Sequence, residues 1–126
     1  MIFLIMNMKK KIKNIVIYGA GDFGKEVLWT INDCNKVSKE FNILGFIDDK
    51  LKKKEVNSVP VLGNIDWIKE NKNDELGCVL ALSDTQIRKN ILEKLLKLNV
   101  DFPNIIHPSV QKAENCKLGK GVIIQH

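Results

Sequence analysis

The fold of this chain is decided by the stretch Ile15-Val16-Ile17-Tyr18-Gly19-Ala20-Gly21-Asp22-Phe23-Gly24. Four apolar residues run into a glycine-rich turn, and apolar side chains then recur at helical spacing, which predicts a strand, a tight turn and a helix. Gly19, Gly21 and Gly24 have the Gly-x-Gly-x-x-Gly spacing of turns that hold a phosphate at a helix N-terminus. Glycines at this spacing also occur in turns that bind nothing, so a plain strand-to-helix turn is the open alternative.

A second strand with acidic residues after it strengthens the nucleotide-binding interpretation. Residues 43–47 form an apolar run that ends in Asp48 and Asp49. In doubly wound sheets, an acidic residue at the carboxyl end of the second strand lies where a ribose hydroxyl can donate a hydrogen bond to it. Lys50 follows in a lysine-rich loop, where it is placed to reach a phosphate.

Strand-like and helix-like patterns alternate up to residue 106. After the helix that follows the glycine turn, the segment 59–63 is short and contains a proline, which predicts an edge or connecting piece. The sequence then predicts a brief helix ending near Asn71, a strand at 78–82, a helix capped by Ser83 or Asp84, and a last strand at 102–106. We therefore expect an α/β fold over residues 14–106, a Rossmann-like parallel sheet with flanking helices and right-handed crossovers.

Composition limits the classes of protein to which the chain can belong. Its 126 residues suit one domain, or one domain with part of another. The net charge of +5 comes from lysines and one arginine interleaved with acids, which indicates a solvated surface and no nucleic-acid partner. Three widely spaced cysteines argue against a disulfide framework and a zinc site, so we expect no metal and a cytoplasmic location.

The first residues are expected to be a short basic lead, residues 1–13, rather than a targeting signal. The apolar start is short, and its lysines follow it, which is the reverse of a secretory signal. The start methionine could equally be Met6 or Met8. No segment approaches the length that spans a bilayer, so no membrane partner is expected.

A six-residue period begins after His107. Val110, Cys116 and Val122 form one series, and Leu118 and Ile124 form a second. This period is typical of the hexapeptide repeat of a parallel β-helix, although one coil leaves a chance match as the alternative.

Several segments together resemble the bacterial sugar O- and N-acyltransferases related to sialic acid O-acetyltransferase and to the bacillosamine and perosamine acetyltransferases. The resemblance covers residues 15–122 in the order of the family, and it is more specific than any one of its motifs. The matching segments are Tyr18-Gly19-Ala20-Gly21-Asp22-Phe23-Gly24-Lys25-Glu26-Val27, Gly45-Phe46-Ile47-Asp48-Asp49, Val59-Pro60-Val61-Leu62-Gly63, Ala81-Leu82-Ser83-Asp84 with Arg88, and His107-Pro108-Ser109-Val110.

The resemblance implies an N-terminal domain that holds a UDP- or other NDP-sugar, with an amine or a hydroxyl as acceptor. It implies a C-terminal left-handed β-helix, beginning in residues 107–126, that forms a homotrimer and holds acetyl-CoA. Carried over, the nucleotide-sugar site consists of Gly19, Ala20, Gly21, Phe23, Gly24, Asp48, Asp49, Lys50, Ser83 and Asp84.

Two departures from the family pattern affect the expected activity. Ser83 stands where the family usually has glycine, and Lys112 stands at a usually aliphatic position of the β-helix. The histidine that acts as general base in the family belongs to a later coil, so we expect no catalytic residue in this chain. His107 is interpreted as structural, and His126 lies one coil too early. The chain by itself is therefore expected to bind nucleotide sugar without acetyl transfer.

Two other functions remain open from the sequence. The glycine turn and its downstream acid also suit an NAD(P)-binding or nucleotide-binding module of an oxidoreductase or a regulatory protein, although Asp48 lies somewhat far from Gly24 for the usual ribose contact. A non-enzymatic scaffold, in which the repeat only joins chains, would bind no nucleotide.

Overall fold

The computed structural model describes residues 11–110 and 119–125 and contains a five-stranded sheet, in which the strand Lys13–Tyr18 (β1) has a parallel neighbour on each side. The strand order is β3-β4-β2-β1-β5, and every neighbouring pair is parallel except β3 with β4. The strands are β1 (Lys13–Tyr18), β2 (Phe41–Ile47), β3 (Glu55–Val56), β4 (Val59–Gly63) and β5 (Leu76–Leu80), and the helices are α1 (Asp22–Val37), α2 (Ile65–Asn71) and α3 (Thr85–Leu96). The predicted Rossmann-like α/β sheet with flanking helices is confirmed in this mixed form.

Side chains of β1 alternate between two apolar layers. Ile15 and Ile17 pack in the layer that contains Val27 and Ile31 of α1. Val16 and Tyr18 point the other way, into a layer formed with side chains of α2 and α3. Because helices cover both faces, the buried residues 15–18 of the strand form an apolar run that does not alternate with polar residues.

Close backbone packing joins α1 to the turn after β1. A Cβ atom built on Gly24 would lie 1.9 Å from the carbonyl oxygen of Gly19, and one on Gly19 would lie 2.4 Å from that of Ala81. Gly19 also has a φ of +110°, which residues with a side chain rarely adopt. Both glycines are therefore required by the path of the chain.

A hairpin of β3 and β4 forms one edge of the sheet. Asn57 and Ser58 connect the two strands with φ values of 50° and 65°, as a two-residue type I′ turn requires. The segment that the sequence predicted as an edge piece is thus the second strand from the edge, because β3 covers it.

The structure corrects the last predicted strand of the sheet. Only Asp101 forms a parallel bridge to the sheet, at Gly77. The residues after it turn away, and β6 (Ile105–Ile106) pairs in parallel with β7 (Ile123–Ile124) in a separate sheet. The side-chain oxygen of Asn104 accepts a hydrogen bond from the N–H of Val122 at 2.7 Å, and this bond joins the residues that precede the two strands. Partners in β6 and β7 are eighteen residues apart in sequence.

Side chains at the end of α1 hold β6 in place. The Cys34 thiol donates to the carbonyl oxygen of Ile106 at 3.1 Å, and His107 Nε2 lies 2.9 Å from Asp33 Oδ2. The backbone N–H of Ser109 donates to His107 Nδ1, so Nε2 carries the proton and donates to Asp33. This hydrogen bond, together with Lys36, lowers the pKa of Asp33. His107 is thus part of the joint between α1 and β6.

Parts of the predicted repeat lie outside the described residues. These are Cys116 and Leu118 of the two six-residue series, as well as Lys112 and His126. The first ten residues of the predicted basic lead also lie outside them. Within the described ranges, the structure has no helix with both the length and the apolar character needed to cross a membrane.

Replacing Gly24 by alanine should destabilise the protein, because its methyl carbon would overlap the Gly19 carbonyl oxygen. Over-packing of this kind costs about 1–3 kcal/mol. Urea unfolding followed by circular dichroism should give a lower midpoint for Gly24→Ala. Gly119→Ala is the matched control, since its added methyl group meets no atom within 4 Å. Equal midpoints for both variants and the wild type would contradict the close packing of α1 on the turn.

Candidate functional site

The carboxyl ends of β1, β2 and β4 meet at one edge of the sheet. From β1 the chain first extends the sheet through β2 and β4, and it then returns to place β5 on the opposite side of β1. Ligands of open parallel sheets bind at such a switch point, outside the carboxyl ends of the strands. The glycine turn lies at this edge.

A cleft of about 350 Å³ opens beside the glycine turn. Gly21 is the N-cap of the sixteen-residue α1, and no side chain caps the helix there. A Cβ atom built on Gly21 would meet no atom within 4 Å. The first N–H groups of α1 and the positive end of its dipole are therefore accessible to an anion. The cleft is lined by Ala20, Gly21, Lys25, Leu51, Lys53, Glu55, Val56 and Asn57.

Lysines give the cleft a positive balance. Lys25 and Lys53 line it, against a single lining acid, Glu55. Asp22 is also in the first turn of α1, but its side chain is fully exposed and lies 4.0 Å from Lys25. Two ammonium groups and a helix N-terminus thus border the same cleft, which suits a group with more than one negative charge.

Asp48 connects the glycine turn to the loop after β2. Its Oδ2 accepts the backbone N–H of Ala20 at 3.0 Å, and its Oδ1 accepts those of Lys50 at 2.9 Å and Leu51 at 2.8 Å. Burial by itself would raise the pKa of Asp48, but these three N–H groups outweigh it and lower the pKa. Both carboxylate oxygens of Asp48 therefore shape the cleft by fixing its backbone.

Asp49 is held by a buried tyrosine. The Tyr18 hydroxyl donates to Asp49 Oδ2 at 2.7 Å, and the Tyr18 side chain is almost completely buried. Burial, followed by the hydrogen bond to Asp49 and its negative charge, raises the pKa of Tyr18 far above its ordinary value. Tyr18 therefore stays protonated and donates to Asp49, whose other oxygen faces solvent.

The predicted site residues do not all meet in the cleft. Only Ala20 and Gly21 line it, while Gly19 and Gly24 are buried in the turn below. Phe23 packs against the apolar layer of α1, and the exposed Lys50 is not among the residues that line the cleft. Ser83 and Asp84 lie at the start of α3, where Asp84 Oδ1 accepts the N–H groups of Gln86 and Ile87 at 3.0 Å each.

Sequence reasoning missed the lysines and the hairpin wall of the cleft. Lys25 could have been found, because it lies one helical turn after Gly21 and so shares its face of α1. The hairpin forms a wall of the cleft through Glu55, Val56 and Asn57. Its one sign in the sequence is the turn-forming pair Asn57-Ser58. Among the residues that the structure describes, no group of three or more His, Cys, Asp or Glu side chains is placed to hold a metal ion.

Comparison with known proteins identifies relatives over most of the chain. Residues 14–95 match the sequence profile of the family described as the PglD N-terminal domain. A GDP-perosamine N-acetyltransferase of Escherichia coli O157:H7 is 30% identical over 111 residues, which are 86% of this chain and 49% of the relative. A UDP-N-acetylbacillosamine N-acetyltransferase of Bacillus subtilis 168 is 26% identical over 114 residues, 89% of this chain and 51% of the relative. The chain thus spans about half the length of these relatives.

Solved structures share the fold. PerB from Caulobacter crescentus, in complex with CoA and GDP-perosamine, is 25% identical with a TM-score of 0.74, covering 91% of this chain and 52% of PerB. The acetyltransferase domain of PglB from Neisseria gonorrhoeae, in complex with acetyl coenzyme A, is 23% identical with a TM-score of 0.75. The match covers 91% of this chain and 54% of the PglB chain. RSP, a Rex-family repressor, is 20% identical with a TM-score of 0.57, and the match covers 90% of this chain and 52% of the RSP chain. The last two show the fold alone.

Asp48→Asn should lower the free energy of unfolding at neutral pH. It should also make that free energy depend less on pH in the acidic range. Since the folded pKa of Asp48 is lowered, its stabilisation is complete above the ordinary aspartate range and is lost as pH falls through the folded pKa. Hydrogen bonds to a charged acceptor contribute about 1.5–3 kcal/mol, so we expect a loss of about 2 kcal/mol at neutral pH.

Urea unfolding from neutral to acidic pH measures this difference. Asp74→Asn, at an exposed loop position, is the matched control and should follow the wild-type profile. Parallel pH profiles for Asp48→Asn and the wild type would show that the carboxylate does not hold the turn.

Proposed function

Since the chain belongs to the PglD N-terminal domain family, we propose that residues 14–106 bind the nucleotide of a nucleotide-activated sugar. The chain is then the N-terminal, substrate-binding part of an acetyl-CoA-dependent sugar acetyltransferase of glycan or surface-polysaccharide biosynthesis. The observation that carries this proposal is the open, lysine-lined cleft at the uncapped N-terminus of α1. Two relatives support the proposal, because they are named as N-acetyltransferases of a GDP-activated and a UDP-activated sugar.

The diphosphate would lie over Gly21. Its oxygens accept the first N–H groups of α1, which no side chain caps. Lys25 and Lys53 line the same cleft, so their ammonium groups can neutralise the two negative charges of a diphosphate ester. Because Gly21 has no side chain, the phosphate can approach the backbone closely.

The nucleoside would extend along the carboxyl edge of the sheet. We assign Asp49 to a ribose or base hydrogen bond, because Tyr18 occupies only its Oδ2. Lys50, Ser83 and Asp84 are assigned to the rim of the site; both capping bonds of Asp84 use Oδ1, which leaves Oδ2 to accept a ligand. We assign Asp48 to the positioning of the turn, and not to the ribose contact that its place after β2 suggests.

Acetyl transfer needs groups that we do not assign to this chain. The acceptor amine or hydroxyl attacks the thioester carbonyl of acetyl-CoA, a bond to the acetyl carbon forms, and the carbon–sulfur bond breaks while a general base takes the acceptor's proton. In this scheme the chain's own residues bind and orient the sugar nucleotide. His107 is excluded as the base because its ring already holds Asp33 and Ser109. We therefore propose that residues 1–126 alone do not turn over acetyl-CoA.

We further propose that residues 107–126 begin a left-handed β-helix. The support is the parallel pairing of Ile105 with Ile123 and of Ile106 with Ile124. Their separation of eighteen residues equals three hexapeptides, the length of one three-sided coil. The trimer expected of the family would be built on these coils in the full-length enzyme. Buried free thiols at Cys34 and Cys78 support a reducing, cytoplasmic location.

An NAD-binding module is the second candidate, favoured by the glycine spacing and by the fold shared with RSP. In such modules the acid after the second strand binds the ribose. Here that acid is Asp48, and backbone N–H groups occupy both of its oxygens. The ribose of either ligand would therefore use Asp49, and the names of the two sugar N-acetyltransferase relatives favour the nucleotide sugar.

Gly21→Ala should weaken nucleotide-sugar binding without unfolding the protein. The added methyl group fits the fold, since it meets no atom within 4 Å, but it stands where the phosphate approaches. Alanine is a poorer N-cap than glycine by at most about 1 kcal/mol, so the melting temperature should change little. We expect the affinity for UDP- or GDP-sugar to fall about tenfold, or ~1.4 kcal/mol.

Isothermal titration calorimetry with a UDP-sugar, a GDP-sugar and NAD checks this expectation. Gly119→Ala is the control and should bind like the wild type. Undiminished nucleotide-sugar binding by Gly21→Ala, or binding of NAD in preference to both sugars, would refute the proposal.

A further inference from the structure

A second and larger cavity, of about 640 Å³, runs along the outer face of α1. It shares no lining residue with the nucleotide cleft, and its size is within the range of small-molecule pockets. Successive helical turns place its α1 residues on one face. The cavity is lined by Glu26, Trp29, Thr30, Asp33, His107 and Gln125.

The wall opposite α1 is formed by residues that follow β6 and β7. His107 and Gln125 are eighteen residues apart, the same separation as the paired residues of the two strands. The His107 ring donates a hydrogen bond to Asp33 and accepts one from Ser109, which fixes that side of the wall. Among the described residues, the cavity therefore lies between a helix and the ends of a hydrogen-bonded strand pair.

Two polar side chains of this cavity have no partner among the described residues. The Glu26 carboxylate and the Gln125 amide make no hydrogen bond or ion pair with any residue that the structure describes. Thr30 differs, because its hydroxyl donates to the carbonyl oxygen of Glu26 at 3.2 Å. Trp29 has 70% of its surface exposed, which is unusual for so large an apolar ring. The cavity thus offers an aromatic face beside an unpaired acid and an unpaired amide.

The cavity is also acidic, although the protein is basic. Asp33 accepts a hydrogen bond from His107 and lies 3.6 Å from the ammonium group of Lys36, whereas the Glu26 carboxylate has no such partner among the described residues. The chain has a net charge of +5, yet none of the described residues that line this cavity is a lysine or an arginine. An unbalanced carboxylate next to an indole ring attracts a cation, by charge and by the negative face of the ring.

We propose that this cavity binds a primary ammonium group carried on a six-membered ring. The ring stacks on the indole of Trp29, and the ammonium group donates hydrogen bonds to the Glu26 carboxylate and the Gln125 side-chain carbonyl. An amino sugar and an apolar cyclic amine share this chemistry. The site is independent of the nucleotide cleft, and its ligand does not depend on the function proposed for that cleft.

Two pairs of small molecules test the proposal on the whole chain. Glucosamine is compared with neutral N-acetylglucosamine, and protonated cyclohexylamine with cyclohexanol. The readout is the indole N–H resonance of Trp29 in NMR titrations, which Trp29→Phe assigns. Trp67 is an internal control, because it packs in the layer on the other face of the sheet.

We expect the amines to shift the Trp29 resonance and to bind about fivefold more tightly than their neutral partners, as an exposed ion pair with a cation–π contact permits. Binding of glucosamine alone identifies an amino-sugar site, and binding of cyclohexylamine alone identifies an apolar-amine site. Equal affinities within both pairs, or no shift of Trp29, would overturn the proposal.

Glu26→Gln separates charge recognition from shape. The side chain is exposed and supports no other group, so the variant should stay folded. Its affinity for the amines should fall to that for the neutral partners. Glu93→Gln, at an exposed position on α3, is the matched control and should bind like the wild type. Unchanged amine affinity in Glu26→Gln would overturn the proposal, and nucleotide-sugar binding measured on the same samples reports separately on the cleft.

Discussion

The contact between the backbone of Gly19 and Gly24 is the constraint on which the rest of the structure depends. It brings α1 so close to the preceding turn that any Cβ at position 24 would overlap the Gly19 carbonyl. The contact fixes the direction of α1 and leaves its N-terminus, at Gly21, open at the carboxyl edge of the sheet. An uncapped helix N-terminus, which suits an anion, thus results from packing that also buries the core side chains of α1.

Polar contacts then connect this turn to the rest of the molecule. Asp48 ties the turn to the loop after β2, and this loop forms a wall of the cleft. At the far end of α1, Asp33 holds His107 beyond β6. One helix therefore borders the cleft at its start and the larger cavity along its outer face, and it carries the joint to the β6–β7 pair at its end. Residues distant in sequence thus line two separate cavities beside the same helix.

The parts of the structure set by local chemistry could be predicted from the sequence. The strand, turn and helix around Gly21, and the cap of α3 at Asp84, follow from short-range patterns. Contacts that depend on the tertiary fold could not be predicted. A two-residue strand such as β3 has no periodicity, so the cleft wall at Asn57 was missed. The hydrogen-bond partners of Asp48 depend on how two loops meet in the folded chain. Residues 105–106 pair with β7 instead of the five-stranded sheet, and the partner of a strand is set by contacts distant in sequence.

Amide chemical-shift mapping during titration with a UDP- or GDP-sugar tests the central claim most directly. The account predicts the largest shifts at the backbone amides of residues 21–25, where the helix N-terminus receives the diphosphate, with a second group at residues 51–57 across the cleft. Shifts that instead concentrate at the start of α3, or no shifts with either nucleotide sugar while NAD produces them, would contradict it.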